Sequence, residues 1–141
     1  MNSTQRRSDL VSQEILIVED HEGLREELQS WLGDEFPDSS VSTSPTGEEA
    51  WKRIKENGIL LVLMDINLPG VDGLALTQQI KESHPEIGVI ILTVYEDALY
   101  RLEASEAGAD GFVLKKNMNR KLIGKMKKVM KSRNGWDQKD R

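Results

Sequence analysis

Four short apolar runs constrain this chain's fold more than anything else in it: "ILIV" (15–18), "ILLVLM" (59–64), "VIIL" (89–92) and "FVL" (112–114). Each is continuous rather than alternating and rich in branched side chains, which fits strands buried on both faces of a parallel sheet. A fifth, polar run, "VSTS" (41–44), reads as an edge strand. Between the runs, apolar residues recur at helical spacing: Leu24, Leu28, Trp31 and Leu32; Ala50, Trp51 and Ile54; Leu76 and Ile80; Leu99, Leu102 and Ala107; and finally Leu122, Met126, Val129 and Met130. These stripes read as core faces. Pro45-Thr46, Gly58, His84-Pro85 and Gly108 fall between the elements as punctuation. Five alternations of strand and helix imply an α/β, doubly wound five-stranded parallel sheet with right-handed crossovers.

At 141 residues the chain reads as one domain, spanning 14–133, between flexible segments 1–13 and 134–141. It has no cysteine, which excludes disulfides and thiolate zinc sites. Its longest apolar run is too short to cross a bilayer, and the amino terminus lacks the apolar middle of a secretory signal. A cytoplasmic protein with no membrane partner is expected. Charge is uneven: residues 1–114 carry 22 acids and 8 bases, residues 115–141 carry 11 bases and 2 acids. The basic last helix (Lys121, Lys125, Lys127, Lys128, Lys131, Arg133) could meet nucleic acid or an acidic partner. A solvated helix face is the plainer account.

In doubly wound sheets, ligands bind beyond the carboxyl ends of the strands, at the switch in strand order. Reading just past each strand gives Glu19 and Asp20, then Asp65, Thr93 and Lys115. Each alone has an ordinary explanation; Asp20, for one, could cap the first helix. Their coincidence at equivalent positions points to a site. Three clustered carboxylates repel, so one protonates or a cation binds. Hard oxygen ligands suit Mg²⁺, which joins carboxylates to phosphate oxygens. A carboxylate can attack phosphorus to form an aspartyl phosphate, a reaction that needs positioning and charge neutralisation above all.

The motifs "ILIVEDH", "LVLMDINLPGVDGL", "VIILTVYED" and "GADGFVLKK" cover most of the chain, and together they resemble the receiver domain of two-component response regulators. "GADGFVLKK" looks most like receivers attached to helix-turn-helix (LuxR/NarL-type) output domains. The resemblance implies a flavodoxin-like (βα)5 fold with strand order 2-1-3-4-5. It implies that Asp65 accepts a phosphoryl group from a histidine kinase or phosphotransfer protein, without enzymatic turnover. Mg²⁺ (or Mn²⁺) would be held by Asp20, Asp65 and the Asn67 backbone carbonyl, with Glu19 assisting. Thr93 and Lys115 would contact the phosphoryl oxygens, and Thr93 with Phe112 would form the switch that reshapes the surface around the fourth helix and fifth strand.

Several positions depart from the commonest pattern. Glu19 stands in place of the more frequent Asp, and Lys116 in place of a proline, so no cis peptide is expected there. Val94 is bulkier than the usual alanine and would narrow phosphodonor access. Asn67 and Tyr95, two residues after Asp65 and Thr93, would flank the path of a hydrolytic water, with the Tyr95 ring prolonging the life of the acyl phosphate.

Rival readings fare worse. "DINLPGVDGLAL" starts like an EF-hand loop, but Leu76 stands where a bidentate Glu is required. A haloacid-dehalogenase-type phosphatase wants a second Asp where Asn67 stands, and its nucleophile after the first strand. For a flavin module, the acids of "EDHEGL" would repel a phosphate. Two outputs stay open: a stand-alone receiver acting on an output partner protein, or the receiver part of a regulator whose DNA-binding domain follows covalently. DNA binding by this domain alone is not expected, and phosphorylation-dependent homodimerisation is compatible with either output.

Overall fold

The computed structural model describes residues 13–134, the side chains of residues 133 and 134 excepted. The expected flexible segments therefore lie almost wholly outside the described residues, as does the Arg133 side chain. In chain order the elements are β1 (Glu14–Val18), α1 (Glu22–Glu35), β2 (Ser40–Ser44), α2 (Gly47–Ile54), β3 (Ile59–Met64), α3 (Gly73–Ser83), β4 (Gly88–Thr93), α4 (Ala98–Glu106), β5 (Gly111–Leu114), a 3-10 turn (Lys115–Asn117) and α5 (Met118–Asn134). All pairings are parallel, in the order β2-β1-β3-β4-β5. The polar run thus forms an edge strand, as its composition predicts.

The strand period divides the core in two. Ile15, Ile17, Leu61, Leu63, Ile90 and Leu92 face Leu28 and Leu32 of α1 and Leu122 and Met126 of α5. The intervening residues, among them Leu16, Val18, Val62, Met64 and Ile91, face α2, α3 and α4. This explains the continuous apolar runs: every position in β3 and β4 is buried, on one side or the other. Helix starts follow local chemistry. Thr46, Asp72 and Asp97 accept from Glu49 N (3.1 Å), Leu74 N (2.8 Å) and Leu99 N (2.9 Å).

One helical stripe departs from expectation. Leu99 and Leu102 are more than half exposed, and α4 buries Ala104 instead, with Tyr100 half-buried four residues before it. The Asp97 cap sets the helix phase, and the Tyr100–Ala104 face presents a small residue to the sheet. The leucines are left on the flank, because spacing alone cannot separate two competing faces of a nine-residue helix.

Candidate functional site

The chain leaves β1 toward β2 on one side and returns to β3 on the other, so a crevice opens between the carboxyl ends of β1 and β3. Glu19 and Asp20 follow β1 there, and Asp65 follows β3. One carboxylate oxygen from each lies within 4.8 Å of the others. Glu19 and Asp65 are buried, and Asp20 is exposed. Lys115, directly after β5, reaches across to both buried acids: its Nζ lies 2.8 Å from Glu19 Oε1 and 3.1 Å from Asp65 Oδ2. Burial opposes its charge, yet the hydrogen bond to Glu19 and the charges of Asp65 and Glu19 outweigh this, so its pKa is raised above the ordinary 10.5.

The remaining predicted residues surround this core. Thr93, fully buried at the end of β4, accepts from Tyr95 N through Oγ1 at 3.2 Å. Asn67 is exposed, and its amide donates to Asp65 Oδ1 at 3.4 Å. Tyr95 stacks on Tyr100 of α4 with ring centroids 4.5 Å apart, and both rings line a shallow groove with Asn67, Gly70 and Asp72. Val94 is 63% exposed beside the site. The half-buried Phe112 ring carries the Arg101 guanidinium 4.5 Å from its centroid. Asp20 does not cap α1; His21 does, its Nδ1 accepting from Leu24 N at 3.2 Å. Leu76 is buried in the core, where no calcium ligand could be.

Two participants escaped the sequence reading. A Cβ on Gly73, the first residue of α3, would lie 2.0 Å from the Asp65 carbonyl oxygen. Only glycine lets α3 pack directly under the loop that carries Asp65. A glycine immediately after a capping Asp is the available signal. The other is Arg25, whose Nη1 donates to the carbonyls of Glu19 (2.9 Å) and Asp20 (3.3 Å). Its signal is a cation in the first turn of a helix.

The donor set fits a hard divalent cation. It offers three carboxylate oxygens close together, one acid open to water, and no sulfur or imidazole ligand among them. The one ammonium present balances part of the cluster's charge. A buried carboxylate beside an ammonium, a hydroxyl and a cation site is equipped to accept a phosphoryl group.

Comparison with known proteins agrees. The sequence pattern described as "Response regulator receiver domain" matches residues 15–127. The transcriptional regulatory protein AruR of Pseudomonas aeruginosa is 36% identical over 122 residues, covering 83% of this chain and 49% of AruR. This chain spans about half the length of the curated relatives it matches. Among solved structures, a DNA-binding response regulator of the LuxR family from Staphylococcus aureus superposes with a TM-score of 0.78 at 28% identity, covering 84% of this chain and 98% of that one. The response regulator TrrA from Thermotoga maritima, in complex with Mg²⁺ and beryllofluoride, gives 0.74 at 34% identity, covering 83% and 98%.

Proposed function

Since this chain belongs to the response regulator receiver domain family, we propose that Asp65 is its phosphoacceptor and that Glu19, Asp20, Asp65 and the Asn67 carbonyl hold Mg²⁺ (or Mn²⁺). The observation that carries this reading is the meeting of three carboxylates within 4.8 Å, beneath the Lys115 ammonium, at the sheet's switch point. Bound there, the metal would supply charge neutralisation for the transferring phosphoryl oxygens.

The chain's own residues do the rest. An Asp65 carboxylate oxygen attacks phosphorus; the new P–O bond forms as the donor's P–N bond breaks, and the imidazole of the donor histidine departs. Burial and the Asn67 amide hold that carboxylate in one direction. Lys115 stays charged through the neutral range and can turn from the carboxylates to the phosphoryl oxygens. Thr93 can exchange the Tyr95 amide for a phosphoryl oxygen, which frees the loop between β4 and α4. Phe112 then follows inward, and the face formed by α4 and β5 changes. Tyr95 and Asn67 share one groove, which supports their role in setting the life of the acyl phosphate, and Val94 stands exposed where it would narrow donor access. The reaction is a single transfer followed by slow hydrolysis, not turnover.

The donor in this reading is a histidine kinase or phosphotransfer protein of the cytoplasm. Among the described residues no helix is long and apolar enough to cross a membrane. The output is a partner protein or a covalently following DNA-binding domain, with phosphorylation-dependent homodimerisation as part of either. The LuxR-family description of the Staphylococcus aureus structure favours the DNA-binding output.

Incubation with acetyl phosphate and Mg²⁺, followed by intact-mass measurement, tests the chemistry. One added phosphoryl group is expected, absent when Mg²⁺ is chelated before the acetyl phosphate is added and absent in Asp65→Asn. Equal labelling of wild type and Asp65→Asn would overturn the assignment.

A further inference from the structure

The loop joining β1 to α1 holds a cation that the acceptor chemistry above leaves unused. Arg25 lies in the first turn of α1, where the helix dipole disfavours positive charge. Its side chain turns back along the loop, and Nη1 donates to the carbonyl oxygens of Glu19 and Asp20. These are the two residues whose carboxylates join Asp65 in the acidic cluster.

We infer that Arg25 is a positioning residue for the divalent-cation site, fixing the backbone of Glu19 and Asp20 so that the Asp20 carboxylate faces Asp65. The inference rests on the Mg²⁺ reading above. Glu19 is well anchored without Arg25: its amide donates to Ser44 O at 3.1 Å, and its carboxylate accepts from His21 N at 3.1 Å and pairs with Lys115 at 2.8 Å. Asp20 is different. It sits on a bend, it is exposed, and helix capping belongs to its neighbour His21. Among the described residues no donor holds the Asp20 carboxylate, so its direction depends on the peptide units to either side. Both carbonyls of that stretch are in the grip of Arg25.

The geometry also keeps the cation site open. Arg25 binds carbonyls rather than carboxylates, so it orders the loop without consuming the acidic oxygens a metal would need. Groups that orient a ligand from behind are worth about ten- to a hundredfold in metal affinity.

Charge and positioning make opposite predictions. A guanidinium near the site repels a divalent cation, so if charge were its whole effect, removing it would tighten Mg²⁺ binding. If Arg25 orients Asp20, removing it weakens binding. The test is a calorimetric Mg²⁺ titration of the full chain as wild type, Arg25→Met and Arg25→Lys, with thermal melts alongside. We expect about tenfold weaker binding in Arg25→Met and a smaller loss in Arg25→Lys, whose shorter arm keeps the charge. With acetyl phosphate, the half-saturating Mg²⁺ concentration should rise by the same factor while the rate at saturating Mg²⁺ holds within about twofold. Unchanged or tighter binding in Arg25→Met overturns the inference. Should that variant fail to fold, Arg25→Lys decides on the same criterion: weaker binding than wild type supports the role, and equal or tighter binding refutes it. A wild type that binds no Mg²⁺ would instead refute the metal reading itself.

Discussion

The two ends of the sheet both hold half-buried ion pairs, and they are built on opposite terms. At the amino ends of the strands, charges are matched and saturated. Arg53 of α2 grips both oxygens of Glu14 and also donates to Asn57 O at 2.9 Å, while Ser42 bonds the same carboxylate. Lys81 of α3 donates to Asp110 at 3.0 Å and to the carbonyls of Ile87 and Pro85, and Asp110 in turn accepts from Val89 N at 2.9 Å. At the carboxyl ends, three acids cluster around an ammonium that pairs with only two of them, and Arg25 spends its donors on backbone. A matched pair clips strands to helices. An unmatched cluster stores repulsion that an incoming cation can relieve, and the cation then offsets the charge of an arriving phosphoryl group.

Substitutions at the two ends should therefore separate function from stability, and Asp65→Asn should do so most completely. It is expected to abolish phosphoryl uptake while leaving the melting temperature unchanged or raised, because a repelling charge is removed. Gly73→Ala should come next. Its Cβ cannot coexist with the Asp65 carbonyl in place, so α3 must shift, and chemical denaturation should register a loss of about 3 kcal/mol together with slower phosphorylation. Lys81→Met breaks only the opposite end, and a stability loss of about 2 kcal/mol is expected with normal phosphorylation below the melting temperature.

A subtler probe is pH. The Lys115 pKa is raised in the folded chain, so its pairing contributes fully below the unfolded value of 10.5 and is lost as pH rises through the higher folded value. The melting-temperature difference between wild type and Lys115→Met should thus stay flat through the neutral range and change only in strong alkali. Smallest of all, Leu99→Ser on the exposed flank of α4 should alter stability by less than about 0.5 kcal/mol.

Much of this was legible beforehand, for a physical reason. Strands buried on both faces write themselves as unbroken apolar runs, and a parallel sheet brings the residues after each run to one edge. Glu19, Asp20, Asp65, Thr93 and Lys115 could therefore be placed without coordinates. What stayed hidden depends on contacts that periodicity does not encode. The phase of α4, with Leu99 and Leu102 outside, follows from a cap and a small residue in a short helix. The close approach of Gly73 to Asp65 is a matter of how one helix start meets one loop. His21, rather than Asp20, caps α1, and that assignment freed the acid for the cluster. The stacking of Tyr95 on Tyr100 and of Arg101 on Phe112 ties consecutive residues of α4 to Phe112 and to the residue whose amide bonds Thr93, a link no spacing rule announces.

The claim that the unmatched end is a phosphoryl-acceptor site comes down to which side chain carries the group. An acyl phosphate can be trapped by borohydride reduction, which converts the phosphorylated aspartate to homoserine, and peptide mapping then reads its position. After exposure to acetyl phosphate and Mg²⁺, homoserine is expected at residue 65 alone, and only when Mg²⁺ is present. Reduction product at another acid, or none at residue 65 under those conditions, would contradict the account.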